Sequence, residues 1–161
     1  MLTGKDHRLL EQNERARDLL LEYAETVRTV STLSRRLSRL QKEQQQSTTL
    51  YTRQERTRRE LAAAEIVEEE QHARVSELLE LAVFLPDSRE VLRMRYCFLM
   101  EWDEIVRVMY CHEPDFNEAP RKYFNKATKA HKRGLVDVEQ FLITGERSYS
   151  EARKRPTRTC F

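Results

Sequence analysis

Residues that terminate helices are scarce in this chain. It contains three glycines and four prolines among 161 residues, and neither type occurs between Gly4 and Pro86. Glutamate, arginine, leucine and glutamine are abundant, and this combination is typical of helices. The sequence therefore predicts an all-α protein with a long helical region before Pro86.

Long apolar runs and paired cysteines are also missing. The longest apolar run, from Leu78 to Leu85, is interrupted by Glu80 and is too short to span a bilayer. The first residues lack the apolar core of a secretion signal, so we expect a cytoplasmic protein that does not enter a membrane. The cysteine count is odd, which argues against a disulfide scaffold.

Signatures of metal sites and enzymes are equally sparse. A metal site built from Cys97, Cys111, His112 and His131 is conceivable, but no Cys-x-x-Cys or His-x-x-x-His spacing supports it. We expect buried or incidental thiols and surface histidines instead. The sequence has no glycine-rich phosphate loop, and Glu68–Glu70 is more typical of a solvated helix face than of an acid–base pair. We predict neither an enzyme nor a bound cofactor.

Positive charge is concentrated in one segment, although the net charge is only +2. Residues 1–87 carry 14 basic and 16 acidic side chains, whereas residues 88–161 carry 15 and 11. The window 119–133 contains six basic residues and no acid. Such a local excess is the pattern expected of a segment that contacts phosphates.

A heptad pattern defines the first predicted helix, which runs from about Lys5 or Asn13 to about Gln44. Its seam positions alternate in steps of four and three, the spacing of a coiled coil. The seam comprises Leu19, Tyr23, Thr26, Val30, Leu33, Leu37 and Leu40. Four arginines lie outside it, namely Arg28, Arg35, Arg36 and Arg39.

The polar run from Gln44 to Thr49 interrupts this seam, and its serine and threonines are good helix caps. We predict a turn there and a second helix from about Thr52 to Leu85. Its predicted core positions are Leu61, Ala64, Val67, Val75, Leu78, Leu79, Ala82 and Leu85. The favoured arrangement is an antiparallel hairpin that packs the end of the seam, from Leu33 to Leu40, on Leu61 and Ala64. The alternative is one long helix that pairs with a second chain.

Three short helices are predicted after a boundary at Pro86–Ser88. The first covers about Ser88 to Phe98. The second begins near Glu101 and carries a single apolar stripe. This stripe consists of Trp102, Ile105, Val106 and Met109. A loop from Cys111 to Glu118 follows the second helix.

The third helix spans about Glu118 to Arg133, with Asn117 as its cap and Pro120 in its first turn. Gly134 is predicted to end it, because glycine readily adopts the left-handed conformation that closes a helix. Its inner side is predicted to consist of Ala119, Tyr123, Ala127 and Ala130. A separate short helix, Val136 to Ile143, then packs back through Val138, Phe141 and Leu142 and ends at Gly145.

Two supporting helices followed by a basic one form the pattern of a helix-turn-helix. The predicted organisation is therefore a helical hairpin or coiled-coil arm at 5–85 and a helix-turn-helix domain at 88–143. We expect the basic tail, residues 144–161, to be disordered.

A resemblance to a known family rests on Val91–Tyr96, on Trp102–Ile105 and on the basic third helix. These segments resemble region four of bacterial sigma factors. More narrowly, the chain is similar to small phage and prophage regulators of Gram-positive bacteria, which join an amino-terminal helical region to such a helix-turn-helix. The resemblance covers residues 88–133 and implies DNA binding, transcription regulation and contact with RNA polymerase. In this chain Glu101 replaces the usual Ser or Thr cap, and the turn at Cys111–Asn117 is longer.

The basic third helix carries the predicted contacts with double-stranded DNA. The residues nearest the amino-terminal half of this helix are expected to reach base edges. They are Arg121, Lys122, Asn125 and Lys126. Among them Asn125 suits adenine and Arg121 suits guanine. The phosphate contacts are expected from Lys129, Lys132 and Arg133. The alternative is a solvated basic face on a protein-binding helix.

The predicted function is a sequence-specific, DNA-binding transcriptional regulator. A different hypothesis is an adaptor that binds a protein partner through the hairpin and a degenerate helix-turn-helix. A purely structural coiled coil is disfavoured, because a filament does not need the compact segment 88–143. A homodimer through the Leu19–Leu40 seam would imply two DNA half-sites spaced by whole helical turns.

Overall fold

The computed structural model describes residues 13–43 and 48–145. Every regular element in these ranges is helical, which confirms the all-α prediction. The helices are α1 (Glu14–Lys42), α2 (Thr48–Ala82), α3 (Pro86–Leu92), α4 (Trp102–Tyr110) and α5 (Pro120–Thr144). α3 continues into a π-helical turn, Arg93–Cys97. None of these helices has the length and apolar character needed to cross a membrane.

α1 and α2 run antiparallel and pack along their lengths. The Gln54 side chain, near the start of α2, donates a hydrogen bond of 2.8 Å to the Leu40 carbonyl, near the end of α1. Further along the pair, the Tyr23 hydroxyl is hydrogen-bonded to His72 Nδ1 at 2.6 Å. α2 begins at Thr48, four residues before the predicted start, and residues 44–47 of the predicted turn lie outside the described ranges.

The contact side of α2 is more polar than the sequence analysis predicted. Its less exposed positions follow steps of four and three: Leu50, Gln54, Thr57, Leu61, Ala64, Glu68, Gln71 and Val75. Thr57 is only 1% exposed, whereas Val67, predicted as a core position, is 46% exposed. The correction has a geometric cause, because a seam that passes through Ala64 and Glu68 leaves Val67 on its flank.

The outer half of the hairpin is thinly packed. The end of the predicted seam, Leu33, Leu37 and Leu40, is only half-buried. The main core lies at the other end, where further helices cover the pair. It consists of Ala16, Leu20, Tyr23, Ala24, Val75, Leu79, Ala82, Val83, Leu92, Tyr96, Cys97, Leu135 and Val138. This core joins α1 and α2 to α3 and α5 and therefore crosses the predicted boundary at Pro86–Ser88.

Two polar contacts attach the hairpin to the later helices. The Glu139 carboxylate of α5 is 7% exposed and accepts a hydrogen bond of 2.7 Å from the Ala16 backbone N–H. This N–H belongs to the first turn of α1, where backbone donors have no partner within the helix. On the other side, Glu80 of α2 forms ion pairs with Arg89 and Arg93.

Gly134 lies within a helix, so the predicted helix end at this residue is wrong. α5 continues through it to Thr144, and the separate helix predicted at 136–143 is the second half of α5. A Cβ atom on Gly134 would lie 2.7 Å from Leu92 Cδ1 and 3.2 Å from the Ser88 carbonyl oxygen. The glycine therefore allows α5 to pack closely on α3.

Gly145 ends α5 as predicted. It adopts a left-handed conformation, with φ of 68°, and its N–H bonds the Phe141 carbonyl at 2.8 Å. Phe141 and the fully buried Val138 pack on the main core, whereas Leu142 is 36% exposed. The predicted basic tail lies outside the described residues from position 146 onward.

Candidate nucleic-acid interface

The start of α4 is fixed by local hydrogen bonds. The Glu104 carboxylate accepts a bond of 2.9 Å from the Glu101 backbone N–H, which caps the first turn. The Arg95 guanidinium donates to the Met100 carbonyl at 2.8 Å and to Glu101 at 3.2 Å. Glu101 thus serves at the cap position, and Arg95 connects the middle of the π-helical turn to the start of α4.

α4 supports α5 through aromatic and aliphatic packing. Val106 and Tyr110 form a small core with Tyr123 and Ala127. The predicted stripe of α4 faces inward, since Ile105 and Val106 are buried and Trp102 and Met109 are half-buried. On the predicted inner side of α5, Tyr123 and Ala127 are buried, and Ala119 and Ala130 are half-buried. These contacts fix the rotation of α5 about its own axis.

The long turn between α4 and α5 is folded onto the start of α5. Asp115 accepts hydrogen bonds from the Tyr123 hydroxyl and from Lys122 Nζ, the latter at 2.7 Å. The hydrogen bonds from Lys122 and Tyr123 lower the pKa of Asp115 below its ordinary value. The Phe116 ring packs 5.7 Å from that of Tyr123. This anchor cannot be identified from the sequence, because nothing in the spacing shows that a loop carboxylate would face Lys122.

The predicted cap of α5 is wrong. The residue before the helix is Ala119, without a side-chain hydrogen bond, whereas Asn117 lies in the preceding turn. That turn closes when the Glu118 and Ala119 N–H groups donate to the Asp115 carbonyl. Pro120 occupies the first turn of α5 as predicted.

All seven predicted DNA-contacting residues are exposed and lie on one side of α5. At about 100° per residue they cover roughly 140° of the helix circumference, opposite Tyr123 and Ala127. We call this surface the α5 basic face; it consists of Arg121, Lys122, Asn125, Lys126, Lys129, Lys132 and Arg133. No acidic residue occurs between Ala119 and Arg133, and the acidic side chain that pairs with this surface near its start is Asp115 of the preceding turn.

The side chains of the α5 basic face differ in the contacts that they make with other residues. Lys122 pairs with Asp115, and Lys126 Nζ lies 4.7 Å from the centre of the Tyr110 ring. Arg121, Asn125 and Lys129 make no side-chain hydrogen bond or ion pair with another residue in the described part of the chain. Their polar groups face solvent and can accept a ligand without breaking a contact.

His131 belongs to the packing of the domain, which corrects its prediction as a surface histidine. Its Nε2 is hydrogen-bonded to the Tyr96 hydroxyl at 3.0 Å, and its ring meets the edge of Trp102 at 5.2 Å. Burial, followed by the nearby positive charges of Arg95 and Arg17, lowers the pKa of His131 to about 4. His131 is therefore neutral near pH 7 and connects the π-helical turn, α4 and α5.

The two thiols in the described ranges differ, since Cys97 is buried and Cys111 is exposed. Burial raises the pKa of Cys97 to about 11, so its thiol stays protonated and unreactive. Across residues 13–43 and 48–145, no group of three His, Cys, Asp or Glu side chains is placed to hold a metal ion.

Comparison with known proteins found no match to a family model, to a curated protein or to a solved structure. The features of this chain that bear on function are therefore the α5 basic face with its surroundings and the resemblance of Val91–Tyr96 and Trp102–Ile105 to sigma region four.

Proposed function

We propose that this chain is a sequence-specific, double-stranded DNA-binding transcriptional regulator whose recognition helix is the first half of α5. The observation that carries the proposal is the α5 basic face, an exposed and acid-free surface on a helix whose opposite side is packed on α4. A recognition helix needs both properties, because its support must set its orientation while its exposed side enters a groove.

The dimensions of this helix segment suit a major groove. Residues 120–133 rise roughly 20 Å along the helix axis, which exceeds the groove width of about 12 Å. The folded turn and the Tyr110–Tyr123 contact, with ring centres 5.2 Å apart, hold the segment in place before DNA binds. Little conformational entropy would then be lost on binding.

The surroundings of each side chain refine the proposed roles. Arg121 and Asn125 are free to reach base edges, whereas Lys122 would have to give up its ion pair with Asp115. We therefore assign base contacts first to Arg121 and Asn125. Phosphate contacts are assigned to Lys129, Lys132 and Arg133, further along the helix.

A salt titration tests the proposal. Each lysine that neutralises a phosphate contributes about 0.9 to the slope of log K against log salt concentration. The variant Lys129→Gln/Lys132→Gln should therefore flatten the slope by about 1.8, measured by fluorescence anisotropy with a labelled duplex. A charge-matched control is Arg15→Gln/Arg74→Gln, since both arginines are exposed and lie outside α5. An unchanged slope in the α5 variant would remove both lysines from the phosphate contacts.

An adaptor function is the second candidate, and an apolar groove favours it. A groove of about 540 Å³ lies between α1, α2 and the end of α5. Its apolar lining includes Leu19, Leu78, Leu81, Phe141 and Leu142. Absence of duplex binding at low salt by the folded chain would favour this candidate over DNA binding.

The resemblance to sigma region four adds contact with RNA polymerase to the proposal, in a regulator of phage or prophage type. A homodimer through the Leu19–Leu40 seam is not part of it. That side of α1 packs on α2 within the chain, where the side chain of Tyr23 is hydrogen-bonded to His72. Co-purification of the intact chain with RNA polymerase, retained after nuclease treatment, would support the contact.

A further inference from the structure

A second basic surface lies on the outer side of α1, far from α5. Its five residues, here called the arm stripe, are Arg28, Arg35, Arg36, Arg39 and Lys42, and all are exposed. At about 100° per residue they occupy a sector of roughly 120° centred opposite the seam that faces α2. The stripe rises roughly 21 Å along the helix, and no acidic residue occurs between Thr26 and Lys42.

Within the described residues, acidic side chains do not neutralise most of the arm stripe. Arg28 pairs with Glu25 at 3.1 Å, and Arg35 bonds Ser31 of its own helix. Arg36, Arg39 and Lys42 form no ion pair with any residue of the described ranges. On α2, Arg56 pairs with Glu60, and Arg58 and Arg59 share Glu55, whereas Arg53 forms no ion pair within the described ranges. Most of the unpaired positive charge at this end of the hairpin is therefore on α1.

The other side chains of this surface indicate the class of partner. They are small and hydroxylated, namely Thr29, Ser31, Thr32 and Ser38, and all are exposed. No exposed large hydrophobic residue occurs on α1 after Leu21. A membrane-bound amphipathic helix needs an apolar face, and a protein interface usually has aromatic anchors. Neither is present here.

Phosphate is the ligand that this chemistry suits. Four of the five charges are guanidinium groups, whose planar fork matches phosphate oxygens, and hydroxyl groups donate to the same oxygens. A shallow concavity of about 500 Å³ brings these groups together, lined by Thr32, Arg35, Ser38, Arg39 and Lys42. The small side chains between the arginines would let a nucleic-acid backbone approach the helix.

We propose that the arm stripe binds the phosphate backbone of double-stranded DNA without regard to sequence, as a contact separate from α5. Ala16 contacts α5 through Glu139, and Arg39 lies 23 residues further along α1, a rise of roughly 35 Å. This length is about one turn of B-DNA. At this length the stripe would meet a different part of the duplex from α5, and it would lengthen the footprint. The inference rests on the proposed function only in its choice of DNA as the ligand.

Three double variants of the full chain, each losing two exposed positive charges, test the inference. They are Arg35→Gln/Arg39→Gln in the stripe, Lys129→Gln/Lys132→Gln in α5 and Arg15→Gln/Arg74→Gln as the control. Glutamine is a good helix former, so the fold should survive, and circular dichroism checks this. Binding to a labelled duplex of about three helical turns is measured between about 50 and 200 mM salt.

The stripe variant should flatten the salt slope by about 1.8, as expected for two lost phosphate contacts, while the control keeps the wild-type slope. A stripe variant that binds like the wild type, beside a weakened α5 variant, overturns the stripe but leaves the recognition helix. The reverse result supports the stripe and removes α5 from DNA binding. If the stripe variant loses binding to phosphatidylserine vesicles and not to DNA, the surface is a membrane contact and the inference fails.

Discussion

Gly134 offers the sharpest test of the packing between α3 and α5. In an ordinary helix interior, replacing glycine with alanine stabilises the protein by about 1 kcal/mol, because alanine restricts the unfolded chain and is a better helix former. At Gly134 the added methyl group would lie 2.7 Å from Leu92 Cδ1, and Leu92 is fully buried. The Ser88 carbonyl oxygen, at 3.2 Å, belongs to backbone and has little freedom to move.

The balance of these two opposing effects determines whether Gly134→Ala raises or lowers the free energy of unfolding. Overpacking a well-packed core costs about 1–3 kcal/mol, which exceeds the gain in helix propensity. We therefore expect Gly134→Ala to lower the free energy of unfolding by about 1 kcal/mol. In a Leu92→Ala background most of the clash is removed. There the same substitution should raise the free energy of unfolding by up to about 1 kcal/mol, giving a coupling energy near 2 kcal/mol.

Urea denaturation of the four chains in this double-mutant cycle, followed by circular dichroism, measures the coupling. Gly145→Ala is the matched control. Gly145 has φ of 68°, so alanine there should lower the free energy of unfolding by about 1 kcal/mol. A Cβ at this position would lie in open space, so the effect should be the same whether or not Leu92 is present. The close-packing argument is wrong if Gly134→Ala stabilises the wild-type chain, or if its effect is the same in both Leu92 backgrounds.

Two further predictions concern buried ionisable groups. The pKa of His131 is lower in the folded chain than in the unfolded one, so the unfolded state binds more protons. The contribution of neutral His131 to the free energy of unfolding is complete above about pH 6.5. It decreases by about 3 kcal/mol as the pH falls toward about 4. Denaturant titrations from pH 7 to 4 should show a smaller loss of unfolding free energy in His131→Gln than in the wild type. Identical pH profiles of the two chains would contradict this prediction. Glu139→Ala should lower the free energy of unfolding by about 2 kcal/mol, because it leaves the Ala16 N–H unsatisfied. Glu139→Gln should recover part of that loss. Equal effects of the two substitutions would rule out the hydrogen bond as the cause.

Much of the secondary structure could be predicted from local patterns. The absence of glycine and proline before Pro86 indicates long helices, and the steps of four and three from Leu19 to Leu40 identify the side of α1 that faces α2. The stripe from Trp102 to Met109 is likewise the inner side of α4. These predictions succeed because helix formation and helix amphipathicity depend on neighbouring residues.

Predictions failed where a residue's role depends on a partner distant in sequence. Gly134 was predicted to end a helix, but its contact with Leu92 shows that it permits close packing. Val67 was placed in a core, although the seam of α2 passes beside it. His131 was predicted on the surface, and it is packed between Tyr96 and Trp102. In each case the local sequence allows both outcomes.

The candidate site shows the same division. The sequence determines that residues 119–133 carry positive charge without acids, and helical periodicity then places these side chains on one face. Only the tertiary structure decides that this face is exposed, because the packing of Tyr123 and Ala127 on α4 sets the rotation of α5. It also decides that Lys122 is paired with Asp115. Composition and periodicity act along the chain, whereas exposure and pairing depend on which distant surfaces meet when the chain folds.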